Sequence, residues 1–402
     1  MHQLRHKKIL LGICGGIAAY KAAELVRLLI EAGAEVQVVM TQAASDFVAV
    51  QTLQCLSKKP VWTTINDASV EQSMAHIELS RWADVLLIAP TTANFMAKIA
   101  HGMADDLLSL LCLMMQGRVV ICPAMNTHMW QHPATLANAA MLAQQGVDIW
   151  GPDAGVQACG DTGLGRMREP ELIVDDVIMA THGIRALLQH ASFVMTAGPT
   201  REAIDPVRFL SNRSSGLMGY LLAKALIFAG AQVDLVAGPT ALSPPLGAKL
   251  HLVESADEMH QAVLACLHPN VHFIGVAAVA DFKPAQVADA KIKKQLTAGM
   301  VLDLVPGVDI LADVFKRRLA KTVIGFAAET HDVLAHARLK LANKADMIIA
   351  NQVGPGLGFE QLDNVLYVLN HQQEIKLETA SKLSLACQLV TILADFIKEK
   401  NK

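Results

Sequence analysis

Residues Lys7 to Lys21 read KKILLGICGGIAAYK. The apolar run Ile9 to Cys14 has no polar alternation and stops at two glycines. It gives way to Ala18–Glu31, a segment with the apolar spacing of a helix. A short continuous apolar run bounded by glycine is the signature of a strand buried on both faces, and such strands belong to parallel sheets covered by helices. Strand, glycine turn and helix together make the opening of a βαβ unit.

The same rhythm extends on both sides of this turn. Further strand candidates in the first half are EVQVVM (Glu35 to Met40), DVLLIAP (Asp84 to Pro90) and RVVICPAM (Arg118 to Met125). A helix-like segment lies at Asn94 to Ala100. The second half restarts with FVMTAGPT (Phe193 to Thr200), QVDLVAG (Gln232 to Gly238), HFIGVAAVA (His272 to Ala280), TVIGFAA (Thr322 to Ala328) and MIIANQV (Met347 to Val353). NVLYVLN and EIKLET, joined by His371, Gln372 and Gln373, read as a terminal hairpin before a last helix from about Ala380 to Lys398. AGAEV (Ala32 to Val36) and AGAQV (Ala229 to Val233) echo each other, as an internal repeat or as two helix-capping glycines.

The chain has 402 residues, more than one core usually serves, so two α/β domains are expected, 1–190 and 191–402, with a boundary near Arg185 to Ser192. With 52% hydrophobic and 18% charged residues, the chain has the apolar surface a folded core needs, which excludes a disordered or fibrous chain. A formal net charge of -3 and 4% aromatics argue against a nucleic-acid partner. The longest apolar stretch, Leu107 to Met115, is far shorter than a membrane span, and the N-terminal apolar run enters a glycine turn with no cleavage pattern. No membrane association is expected. Seven scattered cysteines without a CxxC pair suggest free thiols in a reducing cytoplasm and indicate no zinc site.

Several segments could carry chemistry. GICGGIAAYK (Gly12 to Lys21) can bring backbone N–H groups to an anion. It is not GxGxxG, so a single phosphate, as in FMN, suits it as well as a dinucleotide, and a plain tight turn is the alternative. His76 in MAHIELSRWAD could act as a base near neutral pH, or be one of many ordinary histidines. APTTAN (Ala89 to Asn94) and PAMNTHMW (Pro123 to Trp130, with Asn126 in the turn) offer neutral donors at strand ends, or are polar helix caps. ACGDTGLGRM (Ala158 to Met167) reads as a glycine-rich loop around the thiol of Cys159, a lid or a plain connection. SNRSSGLMG, before a helix, is a phosphate cradle. KIKK (Lys291 to Lys294), near Asp281 and Asp289, suits a triphosphate with its metal, or is a solvated loop.

Taken in order from Lys8 to the C-terminus, these strings closely resemble the bifunctional phosphopantothenoylcysteine decarboxylase/phosphopantothenate–cysteine ligase family of coenzyme A biosynthesis. The motifs are GGIAAYK, HIELSRWAD, APTTAN, PAMNTHMW, ACGDTGLGRM, TAGPTREAIDPVR, SNRSSGLMG, AAVADFKP and KIKK. The resemblance implies an N-terminal flavodoxin-like parallel-sheet FMN domain followed by a Rossmann-like α/β ligase domain. It implies that the ligase activates 4'-phosphopantothenate with CTP and Mg2+ as an acyl-cytidylate, which the cysteine amine attacks. The decarboxylase then removes CO2 while FMN is reduced and reoxidised, so that the net reaction is redox-neutral.

Carried over by motif, His76 matches the decarboxylase base, Asn126 the carboxylate-binding amide and Cys159 the proton donor. FMN contacts are implied at Gly15, Gly16, Thr41, Thr91, Thr92 and Asn94. Asn212 matches the asparagine that handles the acyl-cytidylate and Lys291 a phosphate-neutralising lysine. CTP contacts are implied at Gly275, Val276, Ala277, Asp281, Lys291, Val308, Asp309, Ile310, Leu311, Phe326, Lys340 and Lys344; no metal ligand is implied. The resemblance also implies a homo-oligomer, a dodecamer combining trimeric and dimeric contacts. One departure stands out: the family's Asn-Pro-Asp-Ile appears here as Gly307, Val308, Asp309 and Ile310.

Overall fold

The computed structural model describes residues 3–64, 75–293, 300–354, 361 and 363–400. The chain divides into two compact units, one up to Ile178 and the other from Met179. Among the described residues no helix is long and apolar enough to cross a membrane.

The strands of the first unit are β1 (Lys8–Ile13), β2 (Glu35–Met40), β3 (Val61–Trp62), β4 (Val85–Thr91), β5 (Arg118–Pro123), β6 (Asp148–Ile149), β7 (Asp153–Val156) and β8 (Thr162–Arg166). Its helices are α1 (Lys21–Glu31), α2 (Val50–Ser57), α3 (Ala75–Trp82), α4 (Ala93–Ala100), α5 (Leu107–Met114), α6 (Thr127–Gln131), α7 (Pro133–Gln144) and α8 (Pro170–Thr181). β1 to β6 form one parallel sheet ordered β3-β2-β1-β4-β5-β6. Without the two-residue edge strand β3 the order is flavodoxin-like. β1 and β4 are buried almost end to end, as their unbroken apolar runs require. The apolar stretch from Leu107 forms α5, started by a reciprocal cap between Asp106 and Ser109, and packs Leu107, Leu108 and Leu111 into the core.

The second unit contains β9 (Ser192–Ala197), β10 (Arg201–Ala203), β11 (Phe209–Ser211), α9 (Leu217–Phe228), β12 (Gln232–Ala237), β13 (Lys249–Leu252), α10 (Ala256–Cys266), β14 (His272–Gly275), β15 (Phe282–Pro284) and β16 (Leu304–Pro306). It continues with α11 (Ile310–Arg317), β17 (Thr322–Glu329), α12 (Val333–Lys344), β18 (Met347–Gln352), β19 (Asp363–Asn370), β20 (Glu374–Ser381) and α13 (Lys382–Lys400). The main sheet is ordered β13-β12-β9-β14-β17-β18-β19-β20. Its first six strands are parallel and repeat the Rossmann order; β19 and β20 add the antiparallel terminal hairpin. Asn370 closes that hairpin, its Oδ1 accepting from the Gln372 and Gln373 amides at 2.8 and 2.9 Å.

Three local expectations are corrected. The strand expected over 272–280 ends at Gly275. Beyond it the Val276 and Ala277 amides donate to the Thr196 hydroxyl and the Ala278 amide to the Gly198 carbonyl, so the backbone leaves the ladder. The helix expected from Ala18 begins at Lys21, after a 3₁₀ turn over Ile17–Tyr20. The glycine-rich segment around Cys159 is not a plain loop. It supplies the turn and second strand of the antiparallel β7–β8 hairpin.

Candidate functional sites

In each sheet the chain reverses direction of growth at one point, between β1 and β4 in the first unit and between β9 and β14 in the second. The crevice at the carboxyl ends of such strands is where open α/β sheets bind ligands.

In the first unit, Gly15 and Gly16 follow β1. A Cβ at Gly15 would lie 2.6 Å from the backbone of Ala43, so the turn after β2 can approach only a glycine. Gly16 is extended (φ −175°) and opens the 3₁₀ turn with no side-chain cap. Thr41 is half-buried after β2 and donates its hydroxyl to the Ile13 carbonyl at 3.4 Å. Thr91 is fully buried and donates to the Ile88 carbonyl at 2.6 Å. Thr92 caps α4, accepting from the Phe95 amide at 3.2 Å, and Asn94 is exposed in the first turn of that helix. Neutral hydroxyl and amide groups beside an uncapped helical turn suit a phosphate monoester. Cys14, at the end of β1, is no nucleophile: burial pushes its thiol up to about 12.

Asn126 is the N-cap of α6; its Oδ1 accepts from the His128 amide at 2.8 Å. Its Nδ2 reaches across to the β7–β8 turn, donating to Asp161 Oδ2 at 2.7 Å and to Cys159 Sγ at 3.4 Å. Cys159 is exposed, and its sulfur donates to the same Asp161 oxygen at 3.4 Å. The Asn126 amide, and after it the Cys159 thiol, holds the Asp161 carboxyl below the usual carboxylate range. Gln157 fastens the same turn, accepting from the Thr127 amide at 3.1 Å and donating to the Met125 carbonyl at 3.4 Å. The structure therefore brings Asn126 and Cys159 together. His76 is half-buried on α3, and the hydrogen bonds that join Asn126 to Cys159 and Asp161 do not include it. Asp161 and Gln157 were not singled out from sequence, although both lie within or beside the cysteine motif.

In the second unit a cavity of about 640 Å³ lies at the carboxyl ends of β9 and β14. It is lined by Asn212, Gly275, Val276, Ala277, Asp281, Val308, Asp309, Ile310, Leu311, Phe326, Lys340 and Lys344, which come from five separate stretches of sequence. Asn212 donates to the Val279 carbonyl at 2.9 Å. Gly216, the N-cap of α9, is left-handed (φ +77°), and a Cβ on it would come within 3.2 Å of Gly198 Cα. The Val276 and Ala277 amides are committed to Thr196, so this stretch offers carbonyls and surface, not free amides. Lys340 pairs with Glu329 at 2.8 Å, and Lys344 with Asp309, which also caps α11.

Lys291 is exposed and is not among the lining residues; Lys294 lies outside the described residues. The segment carrying Lys291 is anchored next door. The Ile292 amide donates to Asp205 at 3.1 Å and its carbonyl accepts from Arg208 at 3.0 Å. Burial works to raise the Asp205 carboxyl, but the amides of Val207, Ile292 and Arg208 outweigh it and hold the group low. Lys382 was not anticipated. It lines the cavity from the start of α13, 5% exposed, and burial disfavours its charged form.

One further group of potential ligands, Asp234, His251 and Cys266, has donor atoms within 4.8 Å of one another. The Asp234 oxygen is already taken by His251 at 2.7 Å and Lys249 at 3.4 Å, so the group is satisfied as a hydrogen-bonded cluster. The three come from β12, β13 and α10, so no spacing in the sequence could reveal them.

Two families match the chain, one described as flavoprotein over residues 1–182 and one as DNA/pantothenate metabolism flavoprotein C-terminal domain over 188–397. The chain is 47% identical, over 97% of its length and 98% of the relative's, to a protein of Vibrio parahaemolyticus described as coenzyme A biosynthesis bifunctional protein CoaBC. It is 44% identical to the protein of that description from Escherichia coli strain K12, with 99% of both chains covered. Among solved structures, the C-terminal domain of a protein of that description is 36% identical over 53% of this chain and 99% of that one, with a TM-score of 0.45.

Proposed function

With the chain a member of the family of bifunctional coenzyme A biosynthesis proteins, we propose that it ligates cysteine to 4'-phosphopantothenate and decarboxylates the product to 4'-phosphopantetheine. The observation that carries the reading is the second unit's cavity, which gathers residues from five distant stretches that the family resemblance assigns to one nucleotide.

In the ligase, a carboxylate is a poor acyl donor and needs a leaving group. CTP supplies one: the substrate carboxylate attacks the α-phosphorus, pyrophosphate leaves, and the cysteine amine then displaces CMP. Phe326 and the backbone of 308–311 form the wall for the base, and Lys340 and Lys344 supply positive charge to the phosphates. Mg2+ would replace part of that pairing, because both lysines are balanced by carboxylates, Glu329 and Asp309. Lys291 stands outside the cavity on a segment anchored through Ile292, a suitable place for a cation that reaches the phosphates only when they are bound.

In the decarboxylase, Gly15, Gly16, Thr92 and Asn94 would hold FMN through its phosphate, with Thr41 and Thr91 shaping the turns from behind. Bound FMN would supply reversible two-electron oxidation of the CH2–SH group, which makes loss of CO2 feasible. Asn126 binds the substrate carboxylate, His76 takes the proton released in the oxidation, and Cys159 returns a proton to carbon in the enethiolate product. We place the enzyme in the cytoplasm as a homo-oligomer, with small-molecule substrates and no nucleic-acid or membrane partner.

The test is one assay of the purified full chain with 4'-phosphopantothenate, cysteine, Mg2+ and either CTP or ATP, following pyrophosphate, CO2 and product mass. CTP-dependent formation of 4'-phosphopantetheine with both by-products is expected. Folded, flavin-loaded protein that releases neither by-product would overturn the proposal.

A further inference from the structure

We propose that Asp161 is the positioning residue of the decarboxylase site: its carboxylate fixes the Asn126 amide and the Cys159 thiol against each other, so that both act on one substrate. The inference rests on the roles given above to Asn126 and Cys159, and adds a group to which neither motif reading assigned a part.

The argument starts from the two ends of the Asn126 side chain. Its Oδ1 accepts from the His128 amide, and its Nδ2 donates to Asp161 at 2.7 Å. A flipped amide would set oxygen against carboxylate and N–H against N–H, so the orientation is fixed from both sides. One N–H is committed to Asp161; among the described residues the other makes the long 3.4 Å contact with Cys159 sulfur and no further one. That second N–H is the one a substrate carboxylate can take, since a charge-assisted bond replaces a weak one.

Asp161 also controls the sulfur. Cys159 is exposed in the hairpin turn, and its S–H points to the same Asp161 oxygen that accepts from Asn126. Without that acceptor the thiol's remaining acceptor among the described residues is Gln157 Oε1, 3.9 Å away. The carboxyl is held low by Asn126 and then by Cys159, so it is an anion wherever the enzyme works near neutral pH. Asp161 is not what keeps the hairpin in place. Gln157 independently joins the turn to Thr127 and Met125, and the β7–β8 ladder closes it. Removing the carboxylate therefore loosens two functional groups and leaves their frame.

The experiment uses the full flavin-loaded chain with Asp161→Asn. Expected results are an unchanged flavin spectrum, unchanged ligation, and a decarboxylation kcat/KM lower by about tenfold to a hundredfold, the weight of a charged hydrogen bond. KM should rise as Asn126 loosens, and the oxidised enethiol product should accumulate as the proton transfer slows. In the Asp161→Asn/Cys159→Ser double variant kcat should fall little below that of Cys159→Ser alone, because Asp161 acts on proton transfer through that thiol, whereas the rise in KM that comes through Asn126 should persist. Asp161→Glu, which keeps the charge, should recover part of the activity; it also serves if the asparagine variant folds poorly. Normal kcat and KM in Asp161→Asn beside a stalled Cys159→Ser overturns the Asp161 assignment alone. Normal turnover in Cys159→Ser overturns the underlying reading of the site.

Discussion

In the first unit the chain leaves β1 through Gly15 and Gly16; in the second it leaves β9 through Gly198, and in both the next long helix ends in a Schellman cap that feeds the second strand. Gly33 (φ +97°) and Gly230 (φ +91°) sit at the same point of these caps. The Ala34 amide bonds to the Leu29 carbonyl and the Ala231 amide to the Leu226 carbonyl, at 3.0 Å each. The sequence echo AGAEV/AGAQV therefore marks a capping device used twice in one strand order. From there the units diverge. The second lines an open cleft of about 640 Å³ with its own loops. The first sets its thiol on an exposed hairpin turn and faces it with an amide from the N-cap of α6. One topology thus fixes where a ligand sits, while the loops after each strand decide the chemistry.

The strongest test of that division is to disable one unit and read the other. His76→Asn removes the side chain proposed as the base, on α3 of the first unit. CO2 release should fall about a hundredfold to ten-thousandfold, the range for loss of a general base, while CTP-dependent pyrophosphate release stays at its wild-type rate. Equal losses in both activities would show that the two sites are not chemically independent. Unchanged CO2 release would remove His76 from the mechanism.

Acid should act on the second unit through one buried ring. His272 opens β14, stacks on Phe193 at 5.2 Å and bonds to the Thr322 hydroxyl at 2.8 Å; burial lowers its pKa from 6.5 to about 4. As pH falls below 6.5 the unfolded chain takes up a proton that the folded unit refuses. Stability is therefore complete above 6.5 and is lost progressively down to pH 4, by roughly 3 kcal/mol in all. His272→Asn keeps a partner for Thr322 without titrating. Denaturant unfolding at pH 7.5 and pH 4.5 should show a smaller drop for the variant than for the wild type. Parallel curves would mean that the ring is not held neutral.

What could be read from sequence follows from range. Strands β1, β4, β9 and β17 were legible because a doubly buried strand is a local, unbroken apolar run. The β7–β8 hairpin was not, because glycines at 155, 163 and 165 mimic a loop and the ladder depends on pairing across the turn. Motif order singled out Asn126 and Cys159 as candidates, but only the fold shows that Asp161 contacts both. Lys382 illustrates the same limit. It reads as an ordinary helix-start lysine, and only the packing of α13 buries it at the cavity wall.

Lys291 tests the comparison from the other side, as an exposed group outside the residues that line the second unit's cavity. Lys291→Gln should lower ligation by about tenfold to a hundredfold, as expected for one charge-assisted contact, and leave decarboxylation of supplied phosphopantothenoylcysteine untouched. Ligation at the wild-type rate would confine the work on the phosphates to residues inside the cavity.

The smallest effect concerns the wall of that cavity. Where relatives of the resembled family carry Asn-Pro, this chain has Gly307 and Val308, both lining residues. The Gly307 amide donates to the Asp281 carbonyl at 2.8 Å, and a Cβ on Gly307 would stand 2.8 Å from the Ala280 carbonyl oxygen. Real Cβ atoms do not come so close, so Gly307→Asn must push β16 away from the 280–281 backbone. Val308 and Asp309 would move with it. A shift worth about 1 kcal/mol in this wall corresponds to roughly a fivefold rise in KM for CTP, with kcat held because the reacting groups are elsewhere. Adding Val308→Pro should deepen the change if the wall is tuned to glycine, and reverse it if the pair works as a unit. Either result says whether the close approach at Gly307 is a requirement of this cavity, as the approach at Gly15 is of the turn in the first unit.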